Sequence, residues 1–424
     1  MKEISGFARS ATDHAPNALD SMCKRIFFHS MKLLRFGKVR MSEGNRTFDF
    51  GKEDCSLEAT IEIQDPRFYR QVVLNGSLGA AESYIRGYWQ CEDLVSLVRI
   101  FCRNPAIAAG MEKGIARILN LLKIAFHRMR RNTIRGSRRN ISGHYDLGND
   151  FFSLFLDPTL AYSCAIFQDK DSTLHEASIA KFDRICRKLN LTGKDHVLEI
   201  GSGWGGFALH AAERYGCRVT TTTLSRRQYE YVKKTVHDRG LASRIEVLPE
   251  DYRRLQGSYD RIVSIEMIEA VGYEYFDTYF GKCSALMKPD GLMLLQAITF
   301  PDQDYERYRR SVDFIQKYIF PGGCLPSIGA ISRSVGRSTD LRCIDLEDIT
   351  LHYPETLARW RRNFHAHIAG IRALGFSEEF TRTWRYYFCY CEGGFRERAI
   401  GDVQLVLAKP GFRDESILST LNGM

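Results

Sequence analysis

The run Val197–Ala208, VLEIGSGWGGFA, places Gly201, Gly203 and Gly205 directly after a short apolar stretch. That spacing lets a chain double back tightly out of a strand and open a helix. A loop of this kind also suits the pyrophosphate of a dinucleotide, so its neighbours must decide the ligand. Glu199 lies just before the first glycine, where a carboxylate can meet the amino group of an amino-acid moiety. The next strand ends in Thr220–Thr223 and offers no acid to anchor a nicotinamide ribose. Thr223 or Gln228 can hydrogen-bond a ribose, and Asp251 the exocyclic amine of an adenine.

The elements that must hold these residues can be read from the same pattern. His196–Ile200, Arg218–Leu224, Ile245–Leu248, Arg261–Glu266 and Gly291–Ile298 read as strands, with helices after the glycine turn, from Ser225 and over Tyr273–Met287. Val403–Ala408 reads as a late strand. Strands alternating with helices predict an α/β fold, a mostly parallel sheet covered on both faces, with ligands at the carboxyl ends of the strands. The stretch 300–395 is too long for a plain crossover and is expected to form a largely helical lid within a domain spanning 141–410. Residues 1–108, with short apolar runs at Ser56–Gln64 and Arg70–Leu74 before a helical Leu78–Arg103, predict a small α+β domain that docks substrate. Residues 411–424 are left as a tail.

The chain has 424 residues and a net charge of +9. Much of that charge sits in 109–140, where Arg128, Arg130 and Arg131 oppose an apolar stripe of Ile115, Ile118, Leu119, Leu122, Phe126 and Met129. A basic amphipathic linker helix can pack on a domain or lie in a lipid interface. The twelve cysteines form no CxxC pair and no His–Cys metal pattern, which points to reduced thiols and no metal. No apolar run is long enough to span a bilayer and no signal peptide is evident. The expected location is the cytoplasm, peripherally on the inner face of a membrane.

Three further runs carry a resemblance. His144–Phe152 (HYDLGNDFF), Tyr162-Ser163-Cys164 and the VLEIGSGWGG turn, followed by Ser264–Gly272 (SIEMIEAVG), Lys317–Ser327 (KYIFPGGCLPS) and Cys391–Arg398 (CEGGFRER), together resemble the cyclopropane-fatty-acid-phospholipid synthases across about 143–408. The resemblance implies a class I, Rossmann-like methyltransferase domain that binds S-adenosylmethionine. Tyr162, Ser163, Glu199, Gly201, Gly203, Thr223, Leu224, Gln228, Asp251 and Tyr252 are then the expected cofactor residues. It further implies that Cys164, Glu269 and Tyr318 surround a bound bicarbonate, that the Ile298 backbone completes that shell, and that Cys391 lines the acceptor pocket. Many relatives have a His where this chain has Gln296, and Gln can donate to an anion but cannot titrate.

The implied reaction is methyl transfer to a carbon–carbon double bond in a phospholipid acyl chain. An alkene is a weak nucleophile and must be held in line with the sulfonium methyl in a dry pocket. Its attack leaves a carbocation, which an aromatic face such as Tyr318 and a carboxylate such as Glu269 can stabilise. Loss of a proton from the new methyl to the bicarbonate closes a cyclopropane ring. A methyl-branched or exomethylene product from the same alkene is an alternative, as is N-methylation of a small amine on the same fold. The expected partners are an anionic phospholipid surface, unsaturated acyl chains and a second copy of the chain, with no nucleic acid.

Overall fold

The computed structural model describes residues 17–52, 56–107 and 147–413; the basic segment 109–140, His144 and the tail from 414 lie outside the described residues. The chain divides into two compact units. The first comprises Met1–Met129, Arg310–Pro321 and His365–Ala399; the second comprises Arg130–Arg309, Gly322–Phe364 and Ile400–Met424. The stretch expected to form a lid over 300–395 is therefore shared between the two units.

In the first unit, α1 (Ala18–Met31) precedes β1 (Lys38–Glu43), β2 (Arg46–Gly51) and β3 (Glu58–Ile63). Next come α2 (Arg67–Ile85), β4 (Trp89–Cys91) and α3 (Leu94–Arg103). The sheet order is β2-β1-β3-β4. The run Arg70–Leu74 belongs to α2 and is helical, because Phe68, Tyr69, Val72 and Val73 recur at helical spacing and are all buried. The stretch 78–103 is likewise not one helix: Trp89–Cys91 pairs with β3, bringing Trp89 opposite Ile63. The helix Glu378–Arg396 joins this unit through close packing and charge. A Cβ on Gly393 would lie 2.7 Å from Val98 Cγ1, so only glycine admits that approach. Arg99 and Arg103 meet Glu397 at 2.7 and 2.6 Å, and the Arg382 guanidinium lies over the Tyr84 ring at 4.5 Å.

The second unit is built on a seven-stranded sheet. Its elements run α4 (Leu174–Lys188), β5 (His196–Ile200), α5 (Gly206–His210), β6 (Arg218–Thr222) and α6 (Arg226–Asp238). They continue with β7 (Ile245–Leu248), β8 (Tyr259–Ile265), α7 (Phe276–Leu286), β9 (Met287–Thr299), α8 (Ile328–Ser338), β10 (Arg342–Asp348) and β11 (Gly401–Ala408). The strand order is β10-β11-β9-β8-β5-β6-β7. The five strands from β5 to β9 are parallel, while β11 runs antiparallel to both β9 and β10. Period-two alternation sorts the core onto the two faces. Leu198, Ile200, Ile262 and Leu295 pack with Tyr279 and Phe280; Val197, Val219, Val263 and Leu294 pack with Ile185, Phe207 and Val232. β10 was not anticipated, because it is an edge strand with half its side chains exposed and no continuous apolar run.

The chain leaves β5 for β6 and β7 on one side and returns to β8 and β9 on the other. The carboxyl ends of β5 and β8 therefore flank a point where successive connections diverge, the place where open α/β sheets bind ligands. Among the described residues no helix is long and apolar enough to cross a membrane, and no group of side chains is arranged to hold a metal ion.

Candidate active site

The glycine turn after β5 depends on left-handed backbone, with φ of +98° at Gly201, +50° at Gly203 and +87° at Gly205. The amides of Gly201 and Ser202 donate to the Thr222 carbonyl at 3.1 and 2.9 Å, tying the turn to the end of β6. A Cβ on Gly201 would stand 3.0 Å from Met267 Cγ and one on Gly205 3.0 Å from Val232 Cγ1; at Gly203 a Cβ would meet nothing within 4 Å.

Gly203 faces a cleft of about 1020 Å³, all of whose lining residues belong to the second unit. Nine of the ten expected cofactor residues line it: Tyr162, Ser163, Glu199, Gly201, Gly203, Thr223, Leu224, Gln228 and Tyr252. Asp251 does not. Its carboxylate turns to Arg253, meeting Nε at 2.8 Å and Nη2 at 2.7 Å, and its neighbour Glu250 lines the cleft in its place. An acid flanked two residues on by an arginine can satisfy itself locally, which the spacing of the turn did not reveal.

Glu199 is buried and accepts a hydrogen bond from the Thr221 hydroxyl. Burial pushes its carboxyl up to about 8, although Thr221 and the Lys181 ammonium pull the other way. Lys181, on α4, is itself fully buried and donates from Nζ to Ser163 Oγ at 2.6 Å. Burial lowers its pKa, and Glu266 is the foremost charge raising it. Sequence reasoning missed Lys181, which looks in the sequence like one more cation on an amphipathic helix.

Beside the turn, past the end of β8, lies a cluster of acids. Glu266 is half-buried and lines the cleft. Its Oε1 accepts from the Cys164 amide at 2.8 Å and from Gln296 Nε2 at 2.7 Å, and its Oε2 from the Tyr353 hydroxyl at 2.5 Å. Glu269 Oε1 accepts from the Ile298 amide at 2.6 Å, while its Oε2 is buried without a hydrogen-bond partner. Burial, then the charge of Glu266, pushes the Glu269 carboxyl up to about 8. Asp402 on β11 is fully buried, and burial and Glu266 push it well above the carboxylate range. Gln404 Nε2 donates to Gln296 Oε1 at 3.1 Å. The fully buried Cys164 thiol donates to the Ala165 carbonyl, and burial raises its pKa well above that of a free thiol.

Four of the six expected catalytic residues, Cys164, Glu269, Gln296 and Ile298, thus meet around this cluster. Tyr318 and Cys391 fall in the first unit. There the Tyr318 hydroxyl donates to Glu82 Oε1 at 3.0 Å, and desolvation raises the Cys391 thiol near Asp313. Glu266, Tyr353 and Asp402 were missed. The signal for Glu266 was present, since a carboxylate ends the otherwise apolar strand RIVSIE.

A mostly parallel sheet with a glycine turn and a buried carboxylate at its switch point defines a class I methyltransferase, and the cofactor is S-adenosylmethionine. Residues 132–405 match the family model of the mycolic acid cyclopropane synthetases, and the chain belongs to that family. It is 38% identical over 353 residues to the tuberculostearic acid methyltransferase UfaA1 of Mycobacterium tuberculosis, covering 81% of each chain. It is also 38% identical over 360 residues to the cyclopropane-fatty-acyl-phospholipid synthase of Escherichia coli K12, covering 84% of this chain and 89% of the relative. The structure of the mycolic acid cyclopropane synthase CmaA1 complexed with SAH and CTAB matches with a TM-score of 0.61 and 35% identity, over 64% of this chain and 98% of that one. The chain is an S-adenosylmethionine-dependent C-methyltransferase.

Proposed function

We propose that this chain transfers the sulfonium methyl of S-adenosylmethionine to the cis double bond of an unsaturated phospholipid acyl chain, and that a proton lost from the new methyl closes a cyclopropane ring. The observation that carries this reading is the acid cluster of Glu266, Glu269 and Asp402 set beside the cofactor turn. An alkene has no lone pair to absorb the positive charge it receives, so stabilisation must come from fixed groups around it.

The residues of the cleft suit the cofactor. Glu199 is placed to meet its ammonium, Thr223 and Gln228 its ribose, and Glu250 its adenine, while the open side of Gly203 leaves room for close approach. When bound, the cofactor supplies the electrophilic methyl. Thr221 and Lys181 keep Glu199 available as an anion, and the buried polar groups behind it exclude water.

The residues do not fit a resident bicarbonate. The Cys164 amide and the Gln296 side chain already donate to Glu266, and the Ile298 amide to Glu269. A further anion would sit among carboxylates with no free donor from these three groups, which is electrostatically unfavourable. No step is therefore routed through it.

Relatives of equal identity differ in name, one a methyltransferase of tuberculostearic acid and the other a cyclopropane synthase. A methyl-branched or exomethylene product from the same alkene is therefore the second reading. The basic segment 109–140 would bring the enzyme to anionic phospholipid. The test is to incubate the protein and S-adenosylmethionine with unsaturated and with saturated phospholipid vesicles. Unsaturated chains should gain one CH2 per double bond consumed and saturated chains should not change; untouched lipid with methylation of an added amine contradicts the proposal.

A further inference from the structure

The backbone at Glu266 is held at a φ of +48°. Left-handed backbone costs a residue with a side chain on the order of 1 kcal/mol, and strain of this kind concentrates at functional sites. Here it accompanies a specific arrangement. Glu266 follows the last residue of β8 and lines the cofactor cleft, and three donors from separate parts of the unit converge on its two oxygens: the Cys164 amide, the Gln296 amide group and the Tyr353 hydroxyl. Two of those donors are the groups from which a small bound anion was expected to hang. Gln404, donating to Gln296 Oε1, fixes the Gln296 amide with its nitrogen toward Glu266. A glutamine cannot take up a proton, so it holds the carboxylate without competing for the proton that carboxylate would receive.

We propose that Glu266 is the general base of the reaction, its carboxylate standing where the family resemblance implied a bicarbonate, with Gln296 and Tyr353 as positioning residues. This rests on the alkene reading above. The π pair of the alkene forms a bond to the sulfonium methyl as the carbon–sulfur bond breaks, leaving S-adenosylhomocysteine and a cation on the neighbouring carbon. Glu266 takes one proton from the transferred methyl, and the released C–H pair closes the ring onto the cationic carbon. The positive charge of the sulfonium leaves as the proton on Glu266. Asp402, pushed well above the carboxylate range by burial and by Glu266, holds its own proton and leaves the negative charge to Glu266.

The test measures lipid product in buffer stripped of carbon dioxide, with and without added bicarbonate. The wild-type rate should stay within about twofold across both conditions. A wild-type rate that collapses on stripping and returns with bicarbonate overturns the proposal, and this arm needs no variant to fold. Glu266→Gln should lower kcat by about 100-fold or more, the scale of a lost general base, while calorimetric affinity for S-adenosylhomocysteine stays within about threefold. Glu266→Ala, which opens space at the carboxylate position, should regain at least about tenfold with formate or bicarbonate. A near-wild-type rate in Glu266→Gln, or no rescue of a folded Glu266→Ala that still binds S-adenosylhomocysteine, overturns the proposal. Failure of the alkene reading would show differently, as no lipid product from wild type in any condition.

Discussion

Glu269 keeps one oxygen on the Ile298 amide and leaves the other buried without a partner. Such a group favours its neutral form, and its folded pKa of about 8 lies above the 4.5 of an ordinary glutamate. The folded state therefore holds a proton between those values that the unfolded chain has released. Stability from this group is complete below about pH 4.5 and is lost as pH rises through 8, on the order of a few kcal/mol. Thermal melts of the ligand-free protein should show Glu269→Gln gaining stability relative to wild type from pH 6 to 9; a constant difference across that range contradicts the assignment. The same variant should lose nearly all product formation and keep cofactor binding, and full activity would remove Glu269 from the chemistry. At this scale the sequence was legible where a motif named a residue, as at Glu199, Gln228 and Cys164. It was silent where a charge was buried by distant chain. Lys181 and Asp402 carry no local mark, since only the packing of α4 and β11 into the second unit makes them buried ions.

The glycine turn separates two kinds of requirement within one element. A side chain at Gly205 would collide with Val232 on α6, whereas one at Gly203 would enter the cleft and touch no protein atom. Gly205→Ala should therefore destabilise the fold by about 1–3 kcal/mol, since overpacking and left-handed strain add. Gly203→Ala should cost less stability but weaken S-adenosylmethionine binding by tenfold or more. Calorimetry and melts on both variants check this, and the reverse pattern would contradict the geometry. The parallel strands were legible because both faces are covered and each reads as a continuous apolar run. The helix α2 was harder to read. Its buried positions come in pairs, Phe68–Tyr69 and Val72–Val73, around a non-helical Gly76, so a short window showed neither clean period.

For the whole molecule, the division into two units could not be read from the sequence, because the first gathers Arg310–Pro321 and His365–Ala399 from far along the chain. The contacts that draw the latter in, Glu397 with Arg99 and Arg103, span nearly 300 positions. The basic segment 109–140 lies outside the described residues, and its proposed role at an anionic surface is tested in solution. Each Lys or Arg near such a surface contributes roughly 1 kcal/mol, so replacing Arg128, Arg130 and Arg131 with Gln should weaken binding to anionic vesicles by roughly 100-fold. Turnover on detergent-dispersed lipid should be unchanged, and unaltered vesicle binding would contradict the role.

The central claim is that the methyl of S-adenosylmethionine arrives on an acyl-chain alkene and there surrenders one proton to a base. Mass spectrometry of lipids from an expressing host fed methionine with a fully deuterated methyl tests it most directly. The account predicts modified acyl chains that retain two deuteriums, whether the product is a ring or an exomethylene group. Chains retaining all three deuteriums, or no label in any lipid, would contradict it.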